Sequence, residues 1–320
     1  MVIKESVWYA PAAEPRTLHI YLPDQYDASD ERYPVMYFWD GHNLFYDSDA
    51  TYGKSWGLRE FLDGWTKDMI VVGIECSHEG NHRLDEYCPY DANLLGIDIE
   101  GEGDKTLDWV TESLKPYIDS RFRTWPSREA TAIGGSSMGG LMSLYAVTRY
   151  NSVFSKAACV SSAIFMVMQP LMNDIFHSQI SPDTRVYLSW GEKEGGTDPE
   201  SGYCKFLTNS NRKVENLLRK KGAITRLYCQ PDGIHNEACW EKQIPDFMDF
   251  LWMLAAAVTR GASLFSFRRR PRLYSPQLCR QNRRDTSPRS FPWSAAELRS
   301  APLPSSWNRV PPGSGRNICL

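Results

Sequence analysis

The chain has 320 residues, 42% of them hydrophobic and 23% charged, proportions that exclude wholesale disorder, a collagen-like repeat and a disulfide scaffold. The length suits one large α/β domain or two small ones, and the longest apolar stretches, such as residues 250–258, fall short of the roughly 18 to 20 residues that a membrane span needs. The formal net charge of −3 is the sum of two unlike parts, −13 over residues 1–259 and +10 over residues 260–320.

Residues 1–6 carry both charges and no apolar export segment, so the expectation is a cytoplasmic protein. Short β-rich runs then alternate with longer helical patterns. Strands are expected at 18–22, 35–39, 69–74, 131–134, 157–161, 185–190 and 225–229, most of them unbroken apolar runs, as when both faces of a parallel sheet are covered. Between them, Leu107, Val110, Leu114 and Ile118 recur at spacings of three and four, as do Val214, Leu217 and Leu218, and Ile244, Phe247, Met248, Leu251 and Trp252. These stripes predict helices packed on the sheet. The alternation with right-handed crossovers implies an α/β three-layer sandwich, its central sheet mostly parallel with helices on both faces.

The strongest local signal is Gly135-Ser136-Ser137-Met138-Gly139, a G-x-S-x-G pattern entered from an apolar strand (Ala132, Ile133) and left by an apolar helix (Leu141, Met142, Leu144, Tyr145). Strand, tight turn and helix make a nucleophile elbow, in which small flanking residues permit a strained turn that exposes the Ser137 hydroxyl. Ser136 does not fit, because Met138 stands where its second Gly would be. A nucleophilic Ser needs a base, and in this fold the partners follow in the order Ser, acid, His. His19, His42, His78 and His82 come too early and His177 precedes the acid's strand, which leaves His235. The acid should follow strand 185–190, where Gly191-Glu192-Lys193-Glu194 favours Glu194, with Glu192 and Asp198 as competitors. Of the two oxyanion N–H donors, one should be Met138, after the nucleophile, and the other His42, in the Asp40-Gly41-His42-Asn43 turn after strand 35–39.

The loop Asp40-Gly41-His42-Asn43-Leu44-Phe45, the run Leu114-Lys115-Pro116-Tyr117-Ile118-Asp119, the elbow with Gly140, Gly191-Glu192-Lys193-Glu194 and Gly233-Ile234-His235-Asn236-Glu237 together resemble the putative-esterase family of α/β-hydrolases. That family includes enterochelin (ferric siderophore) esterases, carbohydrate-linked acetyl and feruloyl esterases, and mycolyltransferases. The resemblance spans roughly residues 5–256. It implies a triad of Ser137, Glu194 and His235, oxyanion donors at His42 and Met138, and a substrate rim drawing on Asp40, Trp56, Arg83 and Glu86. Nine Trp fall in residues 1–259, and Trp39 and Trp56 near the oxyanion loop suggest an aromatic platform, although most of the nine are expected in the core. His78 and His82 with Glu75 and Glu86 suggest a metal site, but Gly80-Asn81 argues against a helix presenting both His on one face, and a polar rim loop is the better reading.

The expected function is a serine carboxylesterase working through an acyl-enzyme on a small-molecule ester, such as an acylated sugar, a phenolic ester or a siderophore lactone. No metal, organic cofactor, nucleic acid or membrane is needed. An acyltransferase and a non-catalytic binding module are the alternatives. Eight Cys without a C-x-x-C pair point to reduced thiols. Residues 260–320, with 12 Arg, no Lys and 8 of the 20 Pro, read as a disordered tail appended to a 1–259 domain. The abrupt loss of Lys resembles translation of a shifted reading frame, and a basic arm for nucleic acid or acidic lipid is the rival.

Overall fold

The computed structural model describes residues 1–94, 96–195 and 202–253. Residues 260–320, expected to be a tail, and the competing acid Asp198 lie outside the described residues. In chain order the elements are β1 (Val2–Tyr9), β2 (Glu14–Tyr21), β3 (Val35–Trp39), α1 (Leu58–Gly64), β4 (Ile70–Ile74) and α2 (His82–Glu86). A small ribbon of β5 (Ala92–Leu94) and β6 (Ile97–Ile99) follows. Helix α3 (Gly103–Trp109) continues through a π-helical turn, Val110–Leu114, into α4 (Lys115–Arg121). Then come β7 (Thr131–Ser136), α5 (Met138–Arg149), β8 (Lys156–Val160), α6 (Met168–His177), β9 (Arg185–Gly191), α7 (Gly202–Lys220), β10 (Ile224–Gln230), α8 (Glu237–Glu241) and α9 (Ile244–Trp252).

Among the described residues, eight strands form one sheet in the order β1-β2-β4-β3-β7-β8-β9-β10. Strands β4, β3 and β7 to β10 are parallel, and the β1–β2 hairpin adds an antiparallel edge through β2. The expected α/β sandwich with a mostly parallel sheet is what the chain forms. Strand β1 went unread in the sequence because its face alternates between exposed and half-buried positions, the signature of an edge without an apolar run.

Helices cover both faces, and the strand pleat distributes side chains between two cores. Val35, Tyr37 and Trp39 of β3, Ile133 of β7 and Val186 and Leu188 of β9 join one core with Leu107, Val110, Leu114, Ile118 and α5. Met36 and Phe38 of β3, Ala132 of β7 and Tyr187 of β9 join the other with Leu58, Ile244, Phe247, Met248 and Leu251. The predicted stripes, Val214 and Leu218 included, are therefore the buried ones, except that Leu217 is half-buried. Every candidate site residue between 40 and 235 except Trp56 lies in the elbow, in α2, or in a loop that leaves the carboxyl end of a parallel strand, the usual place for a ligand in such a sheet.

Candidate active site

Ser137 sits between β7 and α5 with φ 57° and ψ −120°, a conformation that side chains other than Gly rarely adopt. Hydrogen bonds hold it there from both sides. Its N–H donates to the Val160 carbonyl at 3.0 Å, and its own carbonyl accepts from Ala163 N–H at 3.0 Å and Leu141 N–H at 3.1 Å. A Cβ on Gly139 would lie 2.8 Å from the Trp39 Cβ, so the turn closes only because that residue is Gly. Ser137 lines two clefts that meet at His235.

His235 lies in the loop between β10 and α8. Its Nδ1 is 3.5 Å from Glu194 Oε2, and its Nε2 is buried without a hydrogen-bond partner. The other Glu194 oxygen, Oε1, accepts from Gly191 N–H at 2.9 Å and from the Ser161 hydroxyl, which in turn accepts from Trp240 Nε1 at 2.9 Å. The carboxylate is thus fixed by two donors with its second oxygen turned to the imidazole. Asn236 caps α8 by accepting from Cys239 N–H at 3.0 Å, which anchors the His235 loop from its far side. Glu192, the competing acid, is exposed and accepts from Asp232 N–H at 3.1 Å instead.

After β3 the chain enters a left-handed residue, Asp40 (φ 58°, ψ 50°), and a short 3-10 turn, Gly41–Asn43. A Cβ on Gly41 would overlap the Gly73 carbonyl of β4, so this turn also depends on Gly. The turn is closed by the N–H groups of Asn43 and Leu44, donating to Asp40 and Gly41, so its own hydrogen bonds do not use the Gly41 and His42 amides. Met138 is the first residue of α5, where the helix dipole adds positive potential.

Asp40 and Arg83 form a two-pronged ion pair, with Nε to Oδ1 and Nη2 to Oδ2 both at 2.7 Å, on the wall of the wider cleft. Burial pushes the Asp40 carboxyl up, but the Arg83 guanidinium outweighs it and holds the group below the usual carboxylate range. Burial pushes the Glu237 carboxyl of the same cleft up. Burial also pushes the His42 imidazole down to about 4, which keeps it neutral.

The remaining rim expectations need correction. Trp56 is in the core, 5.4 Å from the Phe38 ring and 5.6 Å from Trp240, because β3 and α9 present apolar faces that it fills. Glu86 is buried in a two-pronged pair with Arg16 at 2.6 and 2.7 Å and does not line either cleft. Trp39, the second platform candidate, is likewise core. His78 and His82 share no helix, since α2 begins at His82. Ser161 and Trp240 were not singled out from the sequence, and Asn236 entered only as part of the Gly233–Glu237 run. The one available signal was that Ser161 ends the strand beside the elbow.

The two clefts differ in character. One is narrow, about 20 Å³, and lined by Leu94, Ala163, Phe165, Met166, Trp190 and Leu207 with the triad candidates. The other is about 270 Å³ and has polar side chains in its walls, with Asp40, Asn43, Tyr52, Arg83, Asn236 and Glu237 around Ser137 and His235.

A family model described as "Putative esterase" matches residues 12–251. The chain is 25% identical over 244 residues to the uncharacterized protein YbbA of Bacillus subtilis, covering 74% of this chain and 92% of that one. It is 25% identical over 190 residues to an acetyl esterase of Caldicellulosiruptor saccharolyticus, covering 52% and 70%. Among solved structures it is similar to an IroE-like serine hydrolase of Shewanella oneidensis, with a TM-score of 0.62, 20% identity and coverage of 78% and 79%.

Proposed function

This chain is a member of the "Putative esterase" family and acts on ester bonds, and we propose that it does so as a serine carboxylesterase through an acyl-enzyme. Ser137 Oγ attacks the carbonyl carbon while His235 Nε2 takes its proton, and the electron pair of the C=O bond moves onto oxygen. The backbone N–H groups of His42 and Met138 hold that oxyanion. Collapse expels the alcohol, which recovers the proton from His235, and leaves Ser137 acylated. Water then gives its proton to His235 and attacks the acyl carbon, releasing the acid and the free Ser. Glu194 keeps the His235 tautomer with Nδ1–H toward itself and stabilises the imidazolium, without taking the proton.

The observation that carries this reading is His235, held at Nδ1 by Glu194 and left with a buried, unpartnered Nε2 in the clefts it shares with Ser137. A buried nitrogen without a partner costs stability, a cost retained where chemistry uses the group, and in the resting state of such enzymes the Ser–His contact is commonly long. The clefts suggest the substrate. A narrow apolar space of about 20 Å³ has room for about one water or methyl group, so it suits a short acyl group. The polar side chains of the wider cleft suit a hydroxyl-rich alcohol, such as the sugar of an acetylated sugar. With p-nitrophenyl acetate a burst of one p-nitrophenol per chain is expected, absent in Ser137→Ala, and kcat/KM should fall from acetate to hexanoate. A chain without a burst and without steady turnover on any short ester would overturn the reading.

A further inference from the structure

Strands β3 and β4 are parallel neighbours, with Trp39 opposite Ile74, so the loops beyond them meet. One brings His42, the other Glu75, Cys76 and His78. One ring nitrogen of each His and the Cys76 sulfur all lie within 4.8 Å of one another. The His42 and His78 rings stand edge to face with centroids 4.7 Å apart.

The hydrogen bonds around the two imidazoles are those of metal ligands, and the Cys76 thiol meets the Asp40 carboxylate. His42 Nε2 is engaged by Thr51 Oγ1 at 3.0 Å, and its Nδ1 is buried without a partner in a residue only 6% exposed. When Nε2 donates to Thr51, Nδ1 carries the lone pair and has no other partner, so it is the nitrogen that can bind a cation. Glu75 Oε2 lies 3.5 Å from His78 Nε2, so with Nδ1 as the ligand atom Glu75 is the outer carboxylate that orients a metal-bound imidazole through its other nitrogen. The second Glu75 oxygen is fixed by His19 Nε2 at 2.6 Å. Nearby charges balance in pairs, Asp40 with Arg83 and Glu86 with Arg16, so the cluster is not dominated by cations.

We propose that His42, Cys76 and His78 form a three-ligand site for a borderline-soft divalent cation, Zn²⁺ foremost, with water in the fourth position. Two imidazoles and a thiolate suit Zn²⁺ and disfavour Mg²⁺ and Ca²⁺, which take oxygen ligands. Binding exchanges the Cys76 S–H bond for an S–Zn bond and releases one proton to solvent. Tetrahedral ligation at Zn–S and Zn–N distances of about 2.3 and 2.1 Å needs the ligand atoms to close by about 1 Å. His78 can supply that movement, because its side chain is 52% exposed. Occupancy should also slow ester turnover, since the His42 side chain that the metal holds belongs to the turn offering its amide to the oxyanion. That consequence alone rests on the proposed catalytic reading.

Co²⁺ titration of the full chain tests the site without reference to activity. Tetrahedral thiolate ligation gives a sulfur-to-cobalt charge-transfer band in the near ultraviolet and intense visible bands, both abolished by added Zn²⁺. The bands should appear in the wild type and in Cys229→Ser, vanish in Cys76→Ser, and require at least about tenfold more Co²⁺ in His78→Ala. Bands that persist in Cys76→Ser, or none in the wild type, would overturn the site. In a separate assay Zn²⁺ should lower kcat in the wild type reversibly with EDTA, and His78→Ala should resist it. Inhibition unchanged in His78→Ala would place the inhibiting metal elsewhere, and Co²⁺ bands without any effect on kcat would remove the link to catalysis while leaving the site.

Discussion

At the carboxyl ends of β3, β7, β8 and β10 the chain turns through Asp40, Ser137, Ser161 and Asp232, four of the five non-glycine residues with positive φ among those described. At the amino ends of the same sheet the chain is tied down. Arg128, just before β7, donates to Asp183 Oδ2 at 2.6 Å, Thr184 Oγ1 at 2.8 Å, Asn151 Oδ1 at 3.2 Å and the Asn151 carbonyl, joining three connections at once. Lys115 bonds Asp119 at 2.7 Å and the Pro126 carbonyl at 2.9 Å, and Arg185 reaches the Phe250 and Met253 carbonyls at 2.7 and 3.0 Å. Each strained residue costs on the order of 1–3 kcal/mol and persists only where its surroundings over-determine it. The two ends divide the labour: the amino ends and the two cores stabilise the fold, and the carboxyl ends hold polar groups in positions that folding alone would not select.

Substitutions at the two ends should therefore separate activity from stability. The largest expected effect is at Ser137. Ser137→Ala should lower kcat by about 10⁴ or more with an unchanged unfolding midpoint, because the backbone strain is the same for Ala as for Ser. Ser136→Ala should reduce turnover far less. Equal losses in the two variants would refute the assignment of the nucleophile.

Glu194→Gln comes next, with kcat expected to fall by about 10² to 10⁴, since the amide still accepts from Gly191 and Ser161 but can no longer stabilise an imidazolium. Ser161→Ala, which removes one of the two donors on Oε1, should cost less than Glu194→Gln and act on kcat before KM. If Glu192→Gln proves the more damaging change, the acid is on the wrong residue.

At the other end the signs reverse. Arg128→Ala strips partners from Asn151, Asp183 and Thr184 and should destabilise by roughly 2–3 kcal/mol, read from the urea midpoint, while kcat/KM at 25 °C stays within about twofold. A large loss of activity in a folded Arg128→Ala protein would break the division between the two ends.

How much of this could be read beforehand depends on the range of the interaction. The elbow is local, a matter of Gly spacing between an apolar strand and an apolar helix, and so is the Gly191 to Glu194 offset. The meeting of Glu194 with His235 is legible through chain order, because β9 and β10 are parallel neighbours whose carboxyl ends must coincide. Burial is not local. Nothing in the spacing of Trp56 or Glu86 says that Phe38, Trp240 and Phe247 enclose the first or that Arg16, 70 residues away, neutralises the second. The cluster of His42 with Cys76 and His78 is hidden for the same reason: it exists only once β3 and β4 are known to be adjacent. Ser161 could be suspected from its place at the end of β8, but its bond to Glu194 spans 33 residues.

Lys156, the first residue of β8, marks the limit of the comparison, since it is an amino-end group that is not well satisfied electrostatically. Its Nζ donates to the Glu129 carbonyl and to Ser155 Oγ and lies 4.8 Å from the Trp252 ring centroid. Burial lowers its pKa to about 8, helped by the nearby Arg185 and Arg128. Below pH 8 both the folded and the unfolded chain carry this proton, so the penalty for holding the charge in the fold is constant. Between about 8 and the ordinary lysine value of 10.5 the folded chain releases the proton first while the unfolded chain retains it, so this group's contribution to stability rises with pH. Lys156→Met keeps the stem's packing on Trp252 and removes the charge. It should stabilise the protein at pH 7 by roughly 1–2 kcal/mol after allowance for partial solvent screening, with kcat/KM unchanged. The gain should shrink steadily as the pH is raised from 8 to 10, as measured by paired urea melts of the two proteins. A gain that is constant over that range, or a loss at pH 7, would mean that the Glu129 and Ser155 bonds outweigh the burial of the charge, and that the amino ends are satisfied here as well.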